Sequence, residues 1–180
     1  MFKSSPNAEV KNPFEILGID PTFEIDLTAL DAAYFSRQSL THPDRFVYRS
    51  DPMRQAASSQ AALLNQAYEC VKNPVLRAKA LLILRGIPVG EEGESLQDKS
   101  VLSEMMDLQE SLAEAESPHA LKAIEEEIQG RFKMIMTSFS AALKDNQSEK
   151  GLALFLRMTY LSKMMGDIKN RRRQLSIKAM

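Results

Sequence analysis

The sequence predicts an all-α protein, in which an antiparallel helical hairpin with short flanking helices precedes a C-terminal three-helix bundle. Three observations carry that expectation. Asp51-Pro52, Asn73-Pro74 and Ser117-Pro118 each pair a capping side chain with a proline at the first helical position, where the missing N–H costs nothing. Downstream of each, apolar residues recur at threes and fours, and no stretch alternates as a strand would. With 44% hydrophobic and 26% charged residues in a chain of 180, the composition is that of a soluble globular protein able to bury one core or two small ones.

Residues 1–11 read as an N-terminal tail. Four helices are then expected at about 13–18, 27–41, 52–71 and 74–85, and Gly86 and Pro88 close the series. The second and third have apolar faces, Leu27, Leu30 and Tyr34 on one, Met53, Ala57, Leu64, Ala67, Tyr68 and Val71 on the other. Such faces pack as an antiparallel pair. Residues 12–86 thus form a first domain, and the glycine-containing, non-periodic stretch 87–97 reads as a linker.

Residues 98–180 form the second domain, with helices at about 98–116, 118–144 and 148–176. Their stripes are Val101, Met105, Leu108 and Leu112; Leu121, Ile124, Ile128, Phe132, Ile135, Phe139 and Leu143; and Leu154, Met158, Leu161, Met165, Ile168 and Leu175. Three such stripes can bury one another as a bundle. Charge favours the same arrangement: residues 91–127 hold twelve acidic and two basic side chains, whereas 131–178 hold eleven basic and three acidic. Helices of opposite charge attract through modest, salt-screened pairs.

Most chemistry is excluded by inventory. Two histidines, His42 and His119, and one cysteine, Cys70, supply no structural zinc site and no self-held iron–sulfur cluster. No glycine loop of the nucleotide-binding kinds is present, and His42 with Asp44 has no nucleophile or second base beside it, so neither a cofactor nor an enzymatic activity is expected. No apolar run is long enough to span a bilayer and no signal-peptide core stands at the start; with a lone thiol, the expected location is cytoplasmic, with no membrane partner. Lys169-Asn170-Arg171-Arg172-Arg173 lacks interleaved aromatics, and net charge is −1, so nucleic acid is not an expected partner.

Between helices 27–41 and 52–71 stands His42-Pro43-Asp44. Proline disfavours helix at the preceding residue, so the tripeptide belongs at the bend of the hairpin, where an acid is offered to a partner. The competing reading is that it merely ends a helix. Upstream is Asn12-Pro13-Phe14-Glu15-Ile16-Leu17-Gly18-Ile19, and downstream Leu64-Asn65-Gln66-Ala67-Tyr68. That order resembles the J-domain of DnaJ-type co-chaperones. Asn73-Pro74-Val75-Leu76-Arg77-Ala78-Lys79-Ala80-Leu81-Leu82, followed by an acidic bundle, narrows it: residues 12–176 resemble the HscB family, J-type co-chaperones of iron–sulfur cluster assembly.

The resemblance implies two partners. His42, Pro43 and Asp44, with Arg37 and Arg45 as nearby cations, would dock on a DnaK-type ATPase chaperone (HscA-like) and stimulate its hydrolysis. Helix 27–41 departs from the family in holding a single basic residue, Arg37, so docking would be weaker, or partner-specific, or lean on Arg45, Arg49 and Arg54. Leu102, Met106, Asp107, Glu110, Glu114 and Tyr160 would bind an iron–sulfur scaffold protein (IscU-like), and Ser103 stands where relatives carry a large apolar residue. Independently of the resemblance, Leu102, Met106 and Tyr160 fall about 90–130° off the stripes of their helices, which marks either a partner surface or a widened core. A general J-domain co-chaperone serving another client is the alternative, and the oligomeric state, monomer or weak dimer, is left open.

Overall fold

The computed structural model describes residues 12–41, 50–90 and 99–178. Seven helices are found there: α1 (Pro13–Leu17), α2 (Leu27–Thr41), α3 (Asp51–Lys72), α4 (Pro74–Leu84), α5 (Lys99–Glu114), α6 (Pro118–Lys144) and α7 (Ser148–Lys178), with no strand among the described residues. The chain divides into two compact units, Met1–Arg85 and Gly86–Met180.

In the first unit, α1, α2 and α4 begin where a side chain takes their orphan N–H groups, whereas Ser50 at the start of α3 makes no such bond. Asn12 accepts from the Phe14 N–H at 3.0 Å, Asp26 from that of Thr28 at 2.8 Å, and Asn73 from those of Val75 and Leu76 at 2.9 and 3.2 Å. Gly18 ends α1 in the left-handed region at φ 59°, donating to the Glu15 carbonyl. This short helix delivers Phe14 and Leu17, both fully buried, against the hairpin of α2 and α3, whose core residues are Leu30, Leu64, Ala67 and Val71. α4 folds back on α3 and adds Ala78, Leu81 and Leu82. Each large side chain so buried contributes about 1.5–3 kcal/mol.

Two polar contacts fix the hairpin's direction and register. The Tyr34 hydroxyl donates to Asn65 Oδ1 at 2.8 Å, and the Tyr68 hydroxyl to Asp31 Oδ1 at 2.6 Å. As the position rises from 31 to 34 on α2 its partner falls from 68 to 65 on α3, the signature of antiparallel rods. The two rings stack at 4.2 Å. Leu27 and Met53, expected on the inner faces, are instead about half exposed. They sit in the first turn of their helices, so one side of each lacks a neighbouring turn to cover it.

In the second unit, α6 and α7 form a long antiparallel pair joined at Asp145–Gln147, where Asn146 takes a positive φ of 54°. Leu121, Ile128, Phe139, Met158 and Ile168 are fully buried between them. α5 lies along this pair and buries Met105, Leu108 and Leu112. Ile124, Phe132, Met165 and Leu175, expected in the core, are half-buried, while Phe155 and Met164, left off the α7 stripe, are buried. α7 meets two helices, so its apolar arc is wider than a single-seam count allows. The opposed charges meet as expected, Glu125 with Arg172 and Glu104 with Arg157.

Candidate functional site

His42, Pro43, Asp44 and Arg45 lie outside the described residues, as does Arg49. The rods that lead to them are described. The stack of Tyr34 on Tyr68 is extended by Gln38 Nε2, which donates to the Tyr34 hydroxyl at 3.0 Å, and by Lys72 Nζ, which donates to the Tyr68 hydroxyl at 2.7 Å. These contacts brace α2 against α3 along a continuous polar seam, beside the apolar one. Arg37 does not project as a simple surface cation. It is half-buried, and its guanidinium lies over Gly18, where a Cβ would collide with it. Arg54 is exposed and pairs with Asp51 one turn earlier.

The α5 surface is described from Leu102 to Glu114. Leu102, Met106, Glu110 and Glu114 step four apart, so they form one stripe, and Asp107 stands beside it. Leu102 is 48% exposed and Met106 64%, and the three acids are exposed as well. A pair of large apolar groups in solvent, rimmed by carboxylates, has the make-up of a binding patch.

Tyr160 comes up beside this stripe from α7. It is half-buried, and its hydroxyl donates to the Met105 carbonyl at 2.9 Å and lies 3.3 Å from Gln109 Oε1. Burial, with Asp167 nearby, pushes the phenol up, so it stays a donor well into the alkaline range. The structure therefore brings Tyr160 to Leu102 and Met106 on one face, but its polar end is spent within the unit. Leu102 and Met106 are surface groups, outside the core, whereas Tyr160 joins helix to helix.

Sequence reasoning missed the polar contacts beneath α5. Glu104 Oε1 accepts from Arg131 on α6, and Glu104 Oε2 from Arg157 on α7 at 3.0 Å; Arg131 also pairs with Glu127 at 2.6 Å. A cleft of about 220 Å³ opens there, lined by Met105, Leu108, Ile135, Leu154 and Leu161 among others. The available signal was positional. Glu104 falls next to Met105 on the core-facing flank, and Arg131 and Arg157 each adjoin a stripe residue, Phe132 and Met158. Arg77 was missed too. It is buried, donates to the Val71 and Lys72 carbonyls at 2.6 and 3.3 Å, and lies over the Phe23 ring. It thus caps the C-terminus of α3 from within α4.

Among the described residues no group of three or more His, Cys, Asp or Glu side chains is placed to hold a metal ion, and no helix is long and apolar enough to cross a membrane.

Comparison with known proteins converges on one family. A family model described as the HSCB C-terminal oligomerisation domain matches residues 97–169. The chain is 30% identical over 161 residues to a protein of Vibrio vulnificus (strain YJ016) named co-chaperone protein HscB homolog, covering 87% of this chain and 94% of that one. It is 29% identical over 164 residues to the iron-sulfur cluster co-chaperone protein HscB of Mus musculus, covering 91% of this chain and 70% of that one. The crystal structure of human co-chaperone protein HscB superposes with a TM-score of 0.86 at 30% identity, covering 94% of this chain and 85% of that one.

Proposed function

The chain belongs to the HscB family of co-chaperones, and from that premise we propose that it is an adaptor for iron–sulfur cluster assembly. In this reading α5, with its flank on α7, binds an IscU-like scaffold protein. The bend between α2 and α3 presents His42, Pro43 and Asp44 to a DnaK-type, HscA-like ATPase chaperone. Arg45 and Arg37 are the nearby cations, Arg37 from its seat over Gly18. The protein performs no hydrolysis itself. Asp44 can take a charge-assisted bond from a partner cation, and by binding one state of the chaperone better than another it biases that machine towards hydrolysis. Holding both partners at once raises the effective concentration of client at the ATPase.

The observation that supports the scaffold half best is the exposure of Leu102 and Met106 within an acidic rim, inside the segment matched by the family model. Burying them at an interface gains about 1.5–3 kcal/mol each, which surface solvation otherwise forgoes. The direct test is calorimetric titration of the full chain with an iron–sulfur scaffold protein. Leu102→Ala combined with Met106→Ala should weaken binding by about 2–4 kcal/mol with an unchanged melting temperature. Unchanged affinity, or a sharp fall in stability, would show that this stripe is not the binding surface.

A further inference from the structure

We infer that Glu104, Arg131, Arg157 and Tyr160 form a positioning clamp that sets the rotation of α5 about its own axis and so holds Leu102 and Met106 outward. The inference rests on the scaffold-binding reading and deepens it, by naming polar groups, the Tyr160 hydroxyl among them, whose bonds are made within the unit and govern how the patch is presented.

α5 needs such a device because its apolar seam is thin. Met105, Leu108 and Leu112 are buried, while Leu102 and Met106 on an adjoining flank are as apolar and remain in solvent. Hydrophobic attraction is non-directional. A roll of about one residue's angle, roughly 100°, would bring Met106 over the seam in place of Met105, and would set Gln109 and Ala113 where Leu108 and Leu112 lie. The seam thus resists the roll at its far end, while around 102–106, where Leu102 and Met106 are as apolar as Met105, a directional restraint must fix it.

The polar contacts supply it at two adjacent residues, from opposite flanks. On one side, the two oxygens of Glu104 are divided between Arg131 of α6 and Arg157 of α7. On the other, the Tyr160 hydroxyl holds the carbonyl of residue 105. Residues 104 and 105 lie midway between Leu102 and Met106 along the axis, and Glu104, two residues from each, stands roughly 160° round the helix from them, so the anchor and the exposed pair share one turn on nearly opposite faces. Rolling α5 either way breaks at least one of these contacts. It also leaves two guanidinium groups facing each other without the carboxylate between them, beside an apolar cleft. Near the far end of the helix, Arg171 Nη2 donates to the Ala113 carbonyl at 3.2 Å, a further directional contact from α7 that acts with the clamp.

A partner that recognises only the outward arrangement sees an affinity reduced by the fraction of molecules that hold it. The test uses the full chain with Glu104→Gln, which keeps size and loses charge, and Tyr160→Phe, which keeps the ring for any partner contact and loses the hydroxyl. Amide hydrogen exchange of α5 is measured without any partner, and scaffold affinity is measured by calorimetry. Exchange in α5 should quicken in both variants while α6 and α7 stay unchanged. Affinity should fall about tenfold for Glu104→Gln and about threefold for Tyr160→Phe, as expected for a charged and a neutral hydrogen bond. Leu102→Ala, a contact variant, should lose affinity with α5 exchange unchanged. Unaltered exchange in both variants overturns the clamp, as does faster exchange with unaltered affinity, or equal loosening of all three helices. If the unsubstituted chain fails to bind the scaffold, the function reading is what fails, and the exchange comparison still decides whether the clamp exists.

Discussion

Gly18 shows how a single residue ties local geometry to the seat of a candidate contact. Its φ of 59° closes α1, and the Arg37 guanidinium occupies the space a side chain would need. Gly18→Ala should therefore cost about 1–3 kcal/mol in urea unfolding, through backbone strain, and should displace Arg37. Cys70 carries a second residue-level prediction. Burial pushes its thiol above the usual range, Arg77 opposing, and the S–H points at the Leu76 carbonyl. The folded state then keeps its proton where the unfolded state loses it. The stability supplied by the neutral thiol is whole below the ordinary thiol range and declines as pH rises through the folded value. Urea midpoints from neutral to alkaline pH should fall for the wild type and fall less for Cys70→Ala, and iodoacetamide should alkylate Cys70 more slowly than a free thiol. Helical angle placed Leu102 and Met106 off the stripe but left open whether they were surface or core, as the burial of Phe155 and Met164, also off their stripe, shows. The bonds made by Tyr160 and Arg77 were not legible. A hydroxyl or guanidinium finds its acceptor through tertiary placement, which spacing along one helix does not encode.

Helix boundaries were legible to within two residues at each end because they are written in local chemistry: a capping Asn or Ser, a proline after it, a glycine at the close. Asn73→Ala should cost about 1 kcal/mol by releasing the first N–H groups of α4, read as a lower urea midpoint. The pairing of elements was legible only in outline. An antiparallel hairpin followed from two apolar faces, but its register is set by Tyr34 with Asn65 and Tyr68 with Asp31, residues that a hydropathy pattern scores as neutral or polar. Tyr68→Phe removes the donor to Asp31 and the acceptor for Lys72 while keeping the stacked ring. It should destabilise the first unit by about 1 kcal/mol, with slower-exchanging amides of α2 and α3 losing protection together. Width of burial was the other blind spot: α7 serves two neighbours, so Phe155 and Met164 are core though a one-stripe count excludes them.

Across the whole chain the charge asymmetry foretold that an acidic α5 would lie against basic partners, and Glu104 with Arg131 and Arg157 is where that attraction becomes specific. The chain divides into two units, and on the proposed reading each carries its own surface, one for a chaperone and one for its client. Such surfaces should fail independently. Asp44→Asn should leave scaffold affinity within about twofold while removing chaperone stimulation. Leu102→Ala with Met106→Ala should do the reverse, leaving stimulation by the protein alone intact. The most direct measurement is the steady-state ATPase rate of a DnaK-type chaperone in the presence of an iron–sulfur scaffold, with the wild-type protein, Asp44→Asn, and the Leu102/Met106 double variant. The wild type should give a large synergistic stimulation, Asp44→Asn none, and the double variant stimulation without synergy. Stimulation that survives Asp44→Asn, or synergy that survives the loss of Leu102 and Met106, would contradict the two-surface reading.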